Sequence, residues 1–194
     1  GIYNDGTLTL QNGAEVTVSG VSQNGVNGSG TLAVQGKGTS LSVESVGGSG
    51  VKGGDVTVSE GAAISVDGAA YHGVTVDTLS VTGANSKVES KNTTMYGVTA
   101  ANGITLSDSA AISATLKDDA TVIAPIHLEK GVFEVSENAT VTGNVFLGSD
   151  ASISGAGSSK VQTVTAVATI GDKPYATLKD AVAAATSNDT IQLL

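Results

Sequence analysis

A glycine followed by a branched aliphatic residue returns five times at nearly constant spacing. Gly1-Ile2, Gly25-Val26, Gly50-Val51, Gly73-Val74 and Gly97-Val98 lie 24, 25, 23 and 24 residues apart. A fixed period in that range marks stacked units, none of which can bury its apolar side chains without its neighbours. Behind each glycine come two short alternating triplets. LTL, LAV, VTV, LSV and ITL begin at Leu8, Leu32, Val56, Leu79 and Ile104. VTV, LSV, ISV, VES and ISA begin at Val16, Leu41, Ile64, Val88 and Ile112. Alternation with period two puts the first and third residues on one face and the middle one on the other. The first face is apolar; the second is mostly Thr or Ser.

Laid in register, the repeats form columns such as Ile2, Val26, Val51, Val74 and Val98, or Leu10, Val34, Val58, Val81 and Leu106. Gly, Asn, Ser and Asp separate the strands, and these residues accept positive φ or bond their own backbone at corners. The expected fold is all-β: a parallel β-helix, or β-solenoid, of triangular section with three short strands per rung of about 24 residues. Parallel crossovers are overwhelmingly right-handed, so a right-handed coil is expected. Strands roughly 4.8 Å apart make five rungs about 24 Å tall. A β-sandwich also matches short strands with turn signals every 8 to 12 residues or so. It gives no reason for one column to stay apolar at a fixed period.

Along the third strand the inner column reads Val18, Val43, Val66, Ser90 and Ala114. Each buried aliphatic side chain is worth roughly 1.5–3 kcal/mol, so rungs four and five should be thinner there and the middle rungs most stable.

The chain divides into three stretches. Residues 1–117 hold the five rungs. Residues 118–160 should taper the same solenoid: DDATVIAPIHL and ENATVTGNVFL repeat at 19 residues, aligning Val122 with Val141, Ile126 with Val145 and Leu128 with Leu147. Pro125 should sit at a corner or edge, Phe133 and Phe146 should fill core, and SGAGSSK at 154–160 reads as a linker. Residues 161–194 form a cap of hairpin, helix and strand. Thr177 is the expected N-cap with Asp180 at the third helical position. Leu178, Ala181, Val182 and Ala185 make an apolar stripe, and Asn188 and Asp189 stop the helix before a strand from Thr190.

Composition narrows the chemistry. With no Cys, no disulfide framework or thiolate chemistry is available. The chain also lacks Arg and carries a net charge of -9, which argues against nucleic acid and anionic membrane as partners. No apolar run reaches the length of a membrane span. The sequence starts inside a repeat and stops in a strand-like run, as a segment of a longer protein would, so neighbouring domains are expected partners.

Candidate functional residues are few. Tyr71 and Tyr96 precede the glycine corners of consecutive rungs, and with His72 between them they could form a carbohydrate platform. Glu44 and Asp67 follow the third strand in adjacent rungs, and two carboxylates so placed either repel or share a cation. Lys91 stands at the equivalent place one rung on and makes an ordinary surface charge ladder the simpler reading. His72 and His127 lie in different rungs without a patterned acid or Cys for a metal site. GGSGVKGGD from Gly47 is similar to a calcium-binding nonapeptide, but Lys52 replaces its Asp and the motif does not recur. The outer columns Thr9, Ala33, Thr57, Ser80, Thr105 and Thr7, Thr31, Asp55, Thr78, Gly103 are too broken for a regular Thr face. No cofactor is expected.

GIYNDGTLTLQNGAEVTVSG and HGVTVDTLSVTG resemble the Gly-Ile/Val rungs of pectin-lyase-like parallel β-helices in large bacterial cell-surface proteins, some of them adhesin-like or carbohydrate-binding. The resemblance covers most of residues 1–160. The ending is similar to a unit of bacterial surface proteins in which a YATLKDAVAAA-like helix and a DTIQLL-like strand open a new β-helix, the helix covering an exposed rung edge. Polysaccharide lyases and hydrolases of such folds use clustered Asp residues, whereas the acids here are dispersed. The resemblance therefore implies an extracellular, non-catalytic structural or adhesive segment that meets glycans or other cell-surface polymers through a Ser/Thr-rich face. The alternatives are a weak carbohydrate-binding module and a polysaccharide-cleaving enzyme.

Overall fold

The computed structural model describes residues 1–118, 120, 122–171 and 173–194. Rung one consists of β1 (Ile2–Tyr3), β2 (Thr7–Leu10) and β3 (Glu15–Ser19). Rung two repeats it with β4 (Val26–Asn27), β5 (Thr31–Gln35) and β6 (Ser40–Glu44), and rung three with β7 (Val51–Lys52), β8 (Asp55–Ser59) and β9 (Ala63–Asp67). From rung four on, the first two strands fuse into one bent strand. The pairs are β10 (Val74–Thr82) with β11 (Lys87–Thr93), β12 (Val98–Ser107) with β13 (Ala111–Leu116), and β14 (Ile126–Val135) with β15 (Thr140–Thr142). β16 (Val145–Ser154) opens the last turn and β17 (Thr163–Val164) pairs along its start. Strands pair in parallel with their equivalents in the neighbouring rungs, giving a β-solenoid of about six turns.

The register is the one the repeat predicts. Ile2, Val26, Val51, Val74 and Val98 are consecutive partners, and the column runs on through Ile126 to Val145. Leu10, Val34, Val58, Val81 and Leu106 continue to Val135. Val18, Val43, Val66, Ser90 and Ala114 make the third column. Its decline to small residues does not open the core, since Ser90 and Ala114 are both buried. The repeated glycine explains that corner. A Cβ on Gly50 would lie 2.3 Å from Val66 Cγ1 and 2.6 Å from the Gly73 carbonyl oxygen, and one on Gly73 would overlap the Ser90 hydroxyl. Glycine is needed there because the third strand's inner side chain closes the triangle against its Cα.

The taper differs from the expected one. Ile126 does pair with Val145 and Leu128 with Leu147, but Val141 pairs with Ile112. Val122 lies in the bend between β13 and β14 rather than on a strand; Asp119 and Thr121 of the same expected repeat fall outside the described residues. Rung five, from Val98 to its partner Ile126, is thus lengthened, and two shorter turns follow, from Ile126 to Val145 and from Val145 to Thr163. The two stretches match in letters, yet Val141 sits in strand β15 and Val122 in a bend. SGAGSSK is no free linker: the Gly157 amide donates to the Val135 carbonyl at 2.9 Å, and Val161 packs on the main core. Phe133 fills core as expected.

The ending is a separate small body of structure. β18 (Ala168–Ile170) pairs antiparallel with β19 (Lys173–Tyr175) and with β20 (Ile191–Leu193), and α1 (Leu178–Ala184) packs on β18 and β19. The Thr177 hydroxyl accepts from the Asp180 amide at 3.1 Å and donates to its carboxylate at 2.6 Å, so the N-cap forms as expected. The apolar stripe does not bury as a unit. Ala181 is buried with Ala168 and Tyr175, while Leu178 and Val182 are exposed. A two-turn helix on a three-stranded sheet touches it through a single turn.

Candidate functional site

The outer side of the first strand carries a run of four stacked rings. His72 ends the corner before β10, Tyr96 ends the corner before β12, and His127 and Phe146 project from β14 and β16, where they are register partners. Their rings stack in that order along the solenoid axis. Centroid distances are 5.9 Å for His72–Tyr96, 4.6 Å for Tyr96–His127 and 5.0 Å for His127–Phe146, with interplanar angles of 13°, 28° and 21°. Offset stacking of this kind adds to the burial of each ring.

Burial sets the electrostatics of the stack. It pushes the Tyr96 hydroxyl up to about 12, with the Glu129 carboxylate adding to the effect. It pushes His127 down to about 4, with His72 adding, and it lowers His72 as well, helped by Lys52. Desolvation opposes the charged form in every case. Both imidazoles are therefore neutral at pH 7. The Thr99 hydroxyl lies 3.4 Å from His127 Nδ1, and His72 Nδ1 is buried without a hydrogen-bond partner among the described residues.

The expected arrangement of Tyr71, His72 and Tyr96 as a side-by-side platform is not the one formed. Tyr96 is buried between the two imidazoles, so both of its faces are occupied, and Tyr71 is 55% exposed and stands outside the stack. Tyr71 belongs to the column of Met95, whose amide donates to the Tyr71 carbonyl. Counting back from the glycine finds the true partners: His72 and Tyr96 each immediately precede one, Gly73 and Gly97. His127 and Phe146 sit after the corner, in the register column of Thr99. Phe146 is half-buried on the outside rather than in the core.

No family model, curated protein or solved structure matches this chain. The fold thus stands on the register of its own rungs, and any function must be argued from its own side chains.

Glu44, Asp67 and Lys91 are consecutive register partners. Glu44 accepts a hydrogen bond from the Ser42 hydroxyl at 3.1 Å and Asp67 from the Asn92 amide at 2.8 Å. The Lys91 ammonium turns back along its own strand to Glu89, 2.7 Å away. That carboxylate raises the Lys91 pKa, and Asp67 contributes a smaller share. The charge ladder therefore closes through Glu89, a partner the spacing did not indicate. Among the described residues no group of three or more His, Asp or Glu side chains converges on a point that could hold a metal ion, and no helix is long and apolar enough to cross a membrane.

Proposed function

We propose that this chain is a non-catalytic structural segment of an extracellular bacterial surface protein, in which the solenoid supplies length and presents Ser/Thr-rich faces to glycans or neighbouring cell-surface polymers. The observation that carries this reading is the use to which large side chains are put. Aliphatics fill continuous inner columns, and the outer rings spend their faces on each other across successive rungs. Side chains committed to cohesion between rungs suit a spacer, and the outer positions left over are mainly small hydroxyl residues. The cell-surface location follows from the resemblance of the Gly-Ile/Val rungs. Incubating the purified chain with pectin, alginate and mucin glycans tests the reading. No new reducing ends and no unsaturated products are expected, and sustained release of either refutes it.

A second reading, a weak carbohydrate-binding module, is favoured by Tyr71, whose exposed ring has a free face beside the corner of His72. One ring on a shallow corner supports affinity in roughly the millimolar range, useful only when many copies act together.

A further inference from the structure

Asparagine precedes glycine four times, at Asn12-Gly13, Asn24-Gly25, Asn27-Gly28 and Asn102-Gly103. Glycine has no side chain to keep its amide nitrogen away from the preceding carboxamide, so these pairs are the ones able to cyclise. The fold locks three of them. Asn24 accepts from the Ser49 amide and donates to the Asn27 carboxamide, both at 2.8 Å, and the amide of the buried Gly25 donates to the Ser49 carbonyl. Asn27 is paired with Tyr3 on one side and Lys52 on the other, and a Cβ on Gly28 would lie 1.8 Å from the Asn4 carbonyl oxygen. Gly103 is held between Thr78 and Val132, and the Asn102 carbonyl oxygen would lie 2.0 Å from a Cβ on Gly131. Ring closure has to swing the backbone between the two residues, and none of these three pairs has the room.

We infer that Asn12-Gly13 is a site of self-modification, where the folded chain converts its own asparagine to aspartate and isoaspartate with water as the only reagent. The two residues make the corner between β2 and β3 at φ of 59° and 76°, closed by the Ala14 amide on the Gln11 carbonyl at 3.2 Å. Both are exposed, and a Cβ on Gly13 would meet nothing within 4 Å. This openness belongs to the corner and not to the edge of the solenoid. The equivalent Lys37 and Gly38 have rungs on both sides and are exposed too, and a Cβ on Gly38 would find its nearest contact at 3.9 Å, on Gly13. In the reaction the Gly13 amide nitrogen loses its proton and bonds to the side-chain carbonyl carbon of Asn12. The bond from that carbon to Nδ2 breaks, ammonia leaves with the proton, and a cyclic imide remains. Water then opens the imide at either carbonyl, giving aspartate or isoaspartate. One contact slows the first step: the Gly13 amide donates to the Thr39 hydroxyl at 3.0 Å, and that bond must open before the nitrogen can attack. Isoaspartate carries the backbone through the side-chain carbon, so the two-residue corner no longer fits and the buried Thr39 hydroxyl loses its donor.

Ageing the whole chain at mildly alkaline pH, followed by digestion after glutamate and mass spectrometry with isoaspartate detection, tests it. Cleavage at Glu15 and Glu44 puts Asn12 in one peptide and Asn24 with Asn27 in another. Deamidation and isoaspartate should accumulate at Asn12 while Asn24, Asn27 and Asn102 keep their amides, and the same chain in denaturant should lose all four. Thr39→Ala installs the residue found at the equivalent buried positions Ala62 and Ala110. It should raise the rate at Asn12 about fivefold, the rate equivalent of one lost hydrogen bond, and leave the other three unchanged. Conversion of Asn24, Asn27 or Asn102 in the native chain as fast as that of Asn12, or an Asn12 as protected as those three, overturns the inference. A Thr39→Ala rate equal to the parent's overturns the part given to the hydroxyl.

Discussion

Acid should loosen this solenoid through one imidazole before its carboxylates matter. His127 lies between the rings of Tyr96 and Phe146 and is held at about 4 against an ordinary 6.5 by burial, with His72 adding to the effect. Between those two values the unfolded chain takes up a proton that the folded chain refuses. The stability is therefore full above pH 6.5, falls as the pH drops from 6.5 towards 4, and is lost below that. Fully expressed, the gap amounts to about 3 kcal/mol. The ring is half-buried and its edge keeps water, so about 1.5 kcal/mol is the working figure. For a chain of this length that lowers the melting temperature by about 3–6 °C. His127→Phe keeps a ring in the stack and removes the proton site. Melting followed by far-ultraviolet circular dichroism at pH 7.5 and 4.5, run on both proteins, isolates the term from the general titration of the acids. The variant should gain on the parent as the pH falls; parallel pH curves would refute the argument.

Val58→Asp should unfold the solenoid, because it buries an unpaired charge in a fully enclosed column, whereas Thr57→Asp on the outer face should shift the melting temperature little; equal melting temperatures would sink the in-register core. Gly50→Ala should cost several degrees of melting temperature, since its methyl would strike the Gly73 carbonyl and the Val66 side chain at once, and a variant as stable as the parent would count against that close approach. Calcium should leave the melting temperature unchanged, because Glu44 and Asp67 already accept from Ser42 and Asn92; a calcium-dependent rise that Asp67→Asn removes would reverse this.

The columns were legible because a strand's inward positions recur with period two and its rung with a nearly fixed period, so Val58 could be assigned to the core from spacing alone. Ring packing was not legible in the same way. His72 and Tyr96 precede their glycine, whereas His127 and Phe146 lie beyond the corner on β14 and β16, in the register of Thr99, so the rings meet through side-chain direction and not through a shared repeat position. A periodic count instead favours Tyr71 with Tyr96, because it aligns residue types and not side-chain directions. The helix shows the converse limit: Thr177 and Asp180 act locally and were readable, while the fate of Leu178 and Val182 depends on how broad a surface the cap sheet offers.

Equivalent rungs joined only to their neighbours have a genetic consequence. Rungs two and three have the same three-strand plan and pair strand on strand in register, their corners differing by single residues, so an in-frame duplication or loss of one of them would restore the same strand pairings on both sides and change only the length. The same event across rung five would part Tyr96 from His127 and break the ring stack. Such a gene can lengthen or shorten freely in its first half while its second half stays singular.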